Sequence, residues 1–429
     1  MTRMVTSLSA LILSIVLLVS GNAFLMTLLG IRLSIEQVAP DVIGWVLVCY
    51  SIGFVLGTLY VHRVIGRVGH IRAFAVFAAI AAVASLMYPM AVSMVFWAFL
   101  RVLSGFSIAS VLVVIESWFS SRATNANRGA LFAVYQIVFY LSAAGGQLVV
   151  NVGDPANFMP FSLAAILLVL ALVPLSLTRM EAPAIEQASR MSIFTLARQS
   201  FSGIAGALIC GVMIGGFYAL GPVYATLVGL DVAKTSTFMA SAIVAAMVLA
   251  WPLGRVCDRF DRRRVMFWVA LVAAAAAGVV GVLEPMNLAL LTLVVGLFTG
   301  LSASVYPIAV AITNDRLESS RIVSASATLL LSYGVGSVIG PIVMAELIGL
   351  LGPRGLFLGN AGFLVLLALI TSYRISHTED VPVAEQEHFV PAMPETSPVL
   401  TELDPRNEEF HESPEVEQMK ENEERRQAG

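Results

Sequence analysis

Twelve apolar stretches of about 20 residues each dominate this chain. A stretch of this length crosses the ~30 Å hydrocarbon core of a bilayer as an α-helix, because each residue adds about 1.5 Å. The mean hydropathy of +0.87 and the 58% hydrophobic content are too high for a soluble domain. We therefore predict an all-α polytopic membrane protein. The predicted spans are 8–30, 42–61, 71–90, 92–118, 130–150, 157–178, 201–225, 235–255, 265–283, 288–312, 323–350 and 355–374.

The first apolar stretch is predicted to remain on the protein as a helix. From Leu8 to Leu29 it is longer than a signal-peptide core, and no small-residue cleavage site precedes Arg32. Many spans are rich in Gly, Ala and Ser, which allow helix backbones to approach closely in lipid. The spans are therefore predicted to pack as a bundle.

The loops between the spans differ in charge on alternate sides of the membrane. Seventeen Arg residues fall on one side, whereas the other side carries only Arg32, Lys234 and Arg354. Basic residues concentrate in cytoplasmic loops. Both termini are therefore predicted to be cytoplasmic, with the protein in the cytoplasmic (inner) membrane.

The chain is predicted to contain two six-helix halves followed by a tail. The halves are 1–178 and 201–374, joined by a polar cytoplasmic linker at 179–200. From Glu379 to Gly429 there are 15 acidic and four basic residues, which gives a net charge of −11. Such a composition predicts disorder, so 375–429 is expected to be a disordered acidic cytoplasmic tail. A partner-binding role for it is the alternative to a merely solvated segment.

Residues 251–264 hold the densest group of charges, with five Arg and two Asp between two apolar spans. Charge is costly in hydrocarbon, so this loop is predicted to lie at the membrane surface. Its matching residues are Gly254, Val256, Asp258, Arg259, Arg262 and Arg263. They resemble the Gly-x-Leu-Ala-Asp-Arg-x-Gly-Arg-Arg signature of the major facilitator superfamily, with Asp261 in place of the second Gly. The resemblance implies a twelve-helix transporter in which this loop joins helices 8 and 9.

Two further patterns indicate that the halves are repeats. A degenerate copy of the signature lies between predicted spans 2 and 3, with Gly66 where the acidic residue would stand. Its matching residues are Arg67, Gly69 and Arg72. A Gly-Phe-Ser-Ile-Ala-Ser stretch from Gly105 also matches Gly-Leu-Ser-Ala-Ser from Gly300 at a shift of 195 residues. We interpret these matches as two parallel six-helix repeats.

Short motifs in predicted spans 4, 5, 10 and 11 carry a closer likeness. They are Glu116-Ser117, Asn127-Arg128-Gly129, Gly146-Gln147, Tyr306-Pro307, Leu331 to Ser337 and Gly340-Pro341. They resemble the YcaD-like subfamily of these transporters. The superfamily likeness covers about residues 8–374 and leaves the cargo open.

Two charged residues lie inside predicted span 4, where a charge costs at least about 2.5 kcal/mol. Arg101 and Gly105 resemble an Arg-x-x-x-Gly pattern that the family associates with proton coupling or substrate contact. Hydrogen bonding to a neighbouring helix is the structural alternative for Arg101. Glu116 is predicted to pair with Arg67 or Arg72 in a latch, with a proton carrier as the alternative.

The second half is predicted to carry the matching part of a cytoplasmic gate. Asp258 is expected to bridge to Arg262, with Asp315 or Glu318 at the base of span 10 as further partners. Such contacts would hold the gate in one state and release it in the other. The predicted gate residues are Arg67, Arg72, Glu116, Gly254, Asp258, Arg259, Arg262 and Asp315.

Polar residues inside the spans are the candidates for substrate binding. The family resemblance implies that helices 1, 4, 7 and 10 line a cavity, with 5, 8 and 11 beside them. The preferred substrate-binding or coupling residues are Asn22, Arg101, Gln136, Tyr218, Tyr306 and Tyr333. Helix packing is the alternative for each of them. Span 5 lacks the Pro of the family's antiporter signature, which weakens a drug–proton exchange hypothesis.

We predict a secondary active transporter that moves a small organic solute by alternating access, with proton coupling left open. Efflux of amphipathic compounds, and a transport-inactive scaffold acting through the acidic tail, are the alternatives. No phosphate-binding Gly loop precedes Lys234 or Lys420, no His or Cys spacing suits a metal, and no acid–base pair lies at one depth. The sequence therefore predicts no enzyme, no metal and no cofactor. The predicted partners are the solute and the lipid bilayer, without nucleic acid, and the chain is predicted to be a monomer.

Overall fold

The computed structural model describes residues 2–177, 191–283, 287–318, 321–378, 381–394 and 396–404. Helices are the regular elements of this described part, and twelve are long and apolar enough to cross a membrane. In lipid such helices are favoured because they satisfy their backbone hydrogen bonds internally. The helices are α1 (Thr2–Ile35), α2 (Pro40–Val68), α3 (His70–Met87), α4 (Met94–Ser121), α5 (Arg128–Val149), α6 (Met159–Leu170), α7 (Leu172–Ser176), α8 (Ile193–Gln199), α9 (Phe201–Leu227), α10 (Val232–Cys257), α11 (Arg262–Val282), α12 (Leu288–Asn314), α13 (Ile322–Leu351) and α14 (Gly355–His377).

The predicted all-α fold with twelve transmembrane helices is confirmed. Helices α6 and α7 together form the sixth span, and the short α8 lies in the predicted linker. Linker residues 178–190 lie outside the described residues. Several helices continue past the predicted span ends, as α2 does to Val68, because a helix does not stop where its hydropathy falls.

The two halves repeat the same helix crossings. In the first half Gly105 of α4 faces α2, and a Cβ atom there would lie 2.9 Å from the carbonyl carbon of Tyr50. In the second half Gly300 of α12 faces α10, and a Cβ atom there would lie 2.9 Å from the carbonyl oxygen of Ala245. The pair Tyr50 and Ala245 is separated by the same 195 residues as the two glycines.

The halves meet mainly along three helix pairs, α1 with α9, α2 with α13 and α5 with α10, and α2 also contacts α9. We call the end of the bundle where α2 meets α3, and α10 meets α11, the basic end. At the opposite end, the Asn151 side chain of the first half donates a hydrogen bond to Ser236 Oγ of the second, at 2.8 Å.

The apolar cores of the halves are joined at the opposite end and separate at the basic end. Phe24, Trp97 and Phe161 of the first half belong to the same buried cluster as the core of the second half. By contrast, Phe74 and Trp118, nearer the basic end, belong to a cluster that contains no helix residue of the second half. The described bundle is therefore closed between the halves at its opposite end.

Part of the expected disordered tail lies between the halves at the basic end. Residues 381–394 and 396–404, which we call the docked segment, include short 3-10 turns at Val383–Glu385 and Pro398–Leu403. Leu400 and Leu403 of this segment are fully buried. The docked segment thus differs from the expected disorder, because its apolar side chains pack on the surface of the bundle. Residues 405–429 lie outside the described residues.

Neighbouring glycines of α5 provide a test of this packing. A Cβ atom at Gly146 would lie 2.8 Å from Ser20 Cα of α1, whereas one at Gly145 would meet no atom within 4 Å. We expect Gly146→Ala to lower the melting temperature of the purified protein, because overpacking costs about 1–3 kcal/mol. Gly145→Ala should leave it unchanged or raise it, since Ala is the better helix former. Equal melting temperatures of the two variants would contradict the crossing.

Candidate functional site

A central cavity of about 190 Å³ lies between the two halves. Helices of both halves supply its walls, and most of the lining side chains are apolar or aromatic. Three of the predicted substrate-binding residues, Asn22, Tyr218 and Tyr333, line this cavity. A concave space with a largely apolar wall and a few polar groups is typical of a small-molecule site.

Arg101 lies behind the wall of the cavity rather than in it. Its guanidinium carbon is 4.5 Å from the centre of the Tyr50 ring, and its Nη2 is 2.9 Å from Met26 Sδ. Tyr50 and Met26 both line the cavity, and Asn22 Nδ2 donates to the Tyr50 hydroxyl at 3.0 Å. The Arg101 side chain is only 1% exposed. The Tyr50 ring, which is not among the predicted site residues, therefore lies between the Arg101 cation and the cavity.

Gln147 is a second cavity residue missing from the predicted set. Its side-chain oxygen accepts a hydrogen bond from Thr27 Oγ1, and both residues line the cavity. Gln147 follows the Gly145-Gly146 pair, so the close contact of α5 with α1 brings it against Thr27. The glycine pair was the sequence signal for this position.

Two predicted binding residues do not line the cavity. Tyr306 is buried behind Tyr333, with their ring centroids 5.6 Å apart in an edge-to-face arrangement. Gln136 points towards the basic end and donates a hydrogen bond to the carbonyl oxygen of Pro391 in the docked segment. Both side chains therefore face neighbours other than the cavity.

At the basic end of the second half, Arg262 forms a buried ion pair with Asp315. The Arg262 side chain is 2% exposed and the Asp315 side chain 4% exposed. The pair joins the start of α11 to the end of α12. Arg262 thus pairs with Asp315, one of the two further partners expected, in place of the predicted bridge to Asp258. Glu318 lies 3.8 Å from Arg321 and both side chains are exposed.

Position 261, where Asp stands in place of the second Gly of the signature, and its equivalent in the first half each precede the start of a helix. Asp261 is the N-cap of α11, and its carboxylate accepts the backbone N–H of Arg264 at 2.8 Å. The equivalent residue 192 positions earlier, Gly69, lies between α2 and α3 with a φ of 81°. A left-handed glycine and an Asp cap thus start corresponding helices by different means.

Asp258 faces the docked segment. Its Oδ1 accepts the backbone N–H of Phe389 at 2.7 Å, and its Oδ2 lies 3.2 Å from Nδ1 of His388. Gly254, one turn earlier in α10, leaves room for the Phe389 ring, because a Cβ atom there would lie 3.1 Å from Phe389 Cδ1. Two residues of the charged signature therefore contact the docked segment.

Glu116 has partners other than the predicted arginines. Its Oε1 accepts a hydrogen bond from the Tyr135 hydroxyl at 2.5 Å, and its Oε2 accepts the backbone N–H of Ser397 at 2.7 Å. Glu116 is fully buried, whereas Arg67 and Arg72 are exposed. The predicted pairing with Arg67 or Arg72 is therefore wrong. Arg259, the remaining predicted gate residue, is also exposed.

Comparison with known proteins places this geometry among transporters. The sequence model of the Major Facilitator Superfamily matches residues 5–277 and 239–413. The uncharacterised MFS-type transporter YcaD of Escherichia fergusonii is 30% identical over 379 residues, which cover 86% of this chain and 96% of that protein.

Two solved structures share the fold at low identity. The nucleoside transporter NupG aligns with a TM-score of 0.73 and 16% identity, over 87% of this chain and 100% of that one. A bacterial homolog of the human lysosomal transporter Spinster aligns with a TM-score of 0.69 and 13% identity, over 89% and 98%. At these identities the likeness concerns the fold alone.

The buried ion pair predicts unequal effects for two neighbouring arginines. Arg262→Gln would remove the buried cation that faces the Asp315 carboxylate, and loss of one member of a buried ion pair costs about 3–5 kcal/mol. Arg264 is exposed, so Arg264→Gln removes the same charge without this penalty. We expect a clear fall in the melting temperature for Arg262→Gln alone. Similar values for both variants would show that the pair does not stabilise the second half.

Proposed function

Because the chain belongs to the Major Facilitator Superfamily, we propose that it is a secondary active transporter for a small organic solute. The central cavity carries this proposal, since both halves contribute to its wall. A site between two rocking halves can be opened to one side of the membrane at a time. The proposal also assigns the basic end to the cytoplasm, in line with the excess of Arg in its loops.

The cavity favours a small solute with an apolar or aromatic body. Its volume of about 190 Å³ is below the ~300–1,000 Å³ of sites for drug-sized ligands. Aromatic rings of Tyr50, Phe54 and Phe139 offer stacking surfaces, and the amides of Asn22 and Gln147 offer hydrogen bonds. We infer that the solute carries a hydrogen-bonding or anionic head beside an apolar body.

Efflux of amphipathic compounds is the second candidate function. Met26 and Met239 line the cavity, and methionine side chains adapt to ligands of different shape. A thermal-shift screen of the purified protein against metabolites and drugs separates the two candidates. Stabilisation by one chemical class favours the solute transporter, and stabilisation by many unrelated amphiphiles favours efflux.

Arg101 supports proton coupling as part of the proposal. Among the described residues, Tyr50, Tyr88 and Cys49 act on its charge, and none of them is a carboxylate. A buried cation without a carboxylate partner attracts an anionic solute group and alters the proton affinity of groups nearby. We therefore propose that Arg101 links solute binding to proton movement through the Tyr50 side of the cavity.

Removal of one cavity amide tests the transport function. Asn22→Ala should raise the KM for the solute found in the screen by several-fold to about tenfold, because a neutral hydrogen bond contributes about 0.5–1.5 kcal/mol. Asn157→Ala, in an exposed position outside the cavity, should leave KM unchanged. The measurement is solute uptake into proteoliposomes. No uptake of any stabilising compound, either by the wild-type protein or by a chain truncated after Asp380, would contradict the proposal.

A second experiment tests coupling through Arg101. We expect the stabilising solute to drive acidification of proteoliposomes containing the wild-type protein. In Arg101→Gln this acidification should disappear while the solute still raises the melting temperature, because the variant loses the charge and keeps the fold. Arg354→Gln removes an exposed charge and serves as the control. Acidification by the Arg101→Gln protein would remove Arg101 from the coupling path.

A further inference from the structure

The docked segment packs on both halves at the basic end. Phe389 belongs to the buried cluster that includes the core of the second half. Val390, Met393, Leu400 and Leu403 belong to the buried cluster of the first half. A single stretch of the chain thus fills the space that would have to close if the basic ends of the halves approached each other.

Backbone N–H groups of the docked segment donate hydrogen bonds to two carboxylates of the predicted gate, Asp258 and Glu116. Phe389 N–H donates to Asp258 of the second half, and Ser397 N–H donates to Glu116 of the first half, both at 2.7 Å. Both carboxylates are among the acidic residues of the predicted gate, together with Asp315. While the segment is docked, these oxygens are bound to it.

Side chains of both halves also hold the segment through its carbonyl groups. Arg262 donates to the carbonyl oxygen of Glu387, and Gln136 donates to that of Pro391. The segment therefore has polar anchors in each half, in addition to its buried apolar side chains.

The middle of the segment reaches the central cavity. Pro394 lines the wall of that cavity and also a smaller one of about 50 Å³ between α2 and α13. Ser337 of α13 lines both cavities with it. A solute moving between the cavity and the basic end would meet this part of the segment.

The charge of the segment suits its position. Residues 381–404 contain five acidic residues and no Lys or Arg. They lie at the end of the bundle that carries the Arg-rich loops. Opposite charges on a tethered segment and its binding surface favour docking.

We propose that the docked segment is an autoinhibitory plug, which keeps the transporter open towards the basic end and blocks its cavity. Solute transport then requires release of the segment. The proposal rests on the alternating-access function above. It adds a regulatory element that the tail supplies in cis.

Labelling of Ser337 tests the plug without a known solute. A Ser337→Cys protein, with Cys49, Cys210 and Cys257 replaced by Ala, is treated with a polar maleimide in detergent. We expect slow labelling of the full chain and about tenfold faster labelling of Leu400→Glu, a change that corresponds to about 1.4 kcal/mol of lost docking free energy. Leu400 is fully buried, so a carboxylate there should expel the segment.

Two further proteins make the result specific. Val383 is 43% exposed, so Val383→Glu adds the same charge to the segment and should label as slowly as the full chain. A chain truncated after Asp380 should label as fast as Leu400→Glu. Equal rates in all four proteins, or fast labelling of Val383→Glu, would overturn the proposal. Gel filtration confirms that each protein is folded.

The effect on conformation is measured separately. For this distance measurement, spin labels are attached at positions 67 and 259, because Arg67 and Arg259 are exposed at the basic ends of the two halves. We expect one distance distribution in the full chain and an additional, shorter one after truncation, because the halves can then close. An unchanged distribution would overturn the claim that the segment holds the halves apart. Neither measurement uses solute flux, so both test the plug independently of the proposed function. A failed transport assay of the chain truncated after Asp380, which lacks the docked segment, would count against the proposed function alone.

Discussion

The hydrocarbon interior of a bilayer offers no hydrogen-bond partners, and the rest of the structure depends on this constraint. It favours helices, which satisfy their own backbone, and it leaves close packing as the main source of attraction between them. Glycines at the crossings of α4 with α2 and of α12 with α10 meet this need in both halves. At the basic end, burial away from water likewise brings the Arg262 cation against the Asp315 carboxylate.

Hydropathy predicts where the helices lie but not how each is rotated about its axis. The twelve spans, and the depth of the polar residues within them, could therefore be predicted from the sequence. Asn22, Tyr218 and Tyr333 face the cavity, whereas Tyr306 and Gln136 face elsewhere. The rotation of a helix about its axis depends on which of its glycines contacts the backbone of a neighbouring helix. The two helices are distant in the sequence, so neither segment alone reveals the contact.

The backbone partners of Asp258 and Glu116 could not be predicted, because they come from a segment whose composition indicates disorder. Among its acidic residues and prolines, the apolar residues Phe389, Leu400 and Leu403 are not spaced with the period of a helix or a strand, so the sequence does not indicate that they pack. These side chains become buried only against a surface that two halves form together. The halves also differ at this end: His70, 192 positions before Arg262, packs on Trp118 with ring centroids 5.5 Å apart.

The docked segment is recognised at its anchor points mainly through backbone atoms, the N–H groups of Phe389 and Ser397 and the carbonyls of Glu387 and Pro391. Every amino acid other than proline has the same N–H group, so many substitutions at Ser397 preserve its bond to Glu116. The number of residues between Phe389 and Ser397 has no such freedom, since it must match the separation of Asp258 and Glu116. Chain length between these anchors, more than side-chain identity, therefore sets the register of the tail.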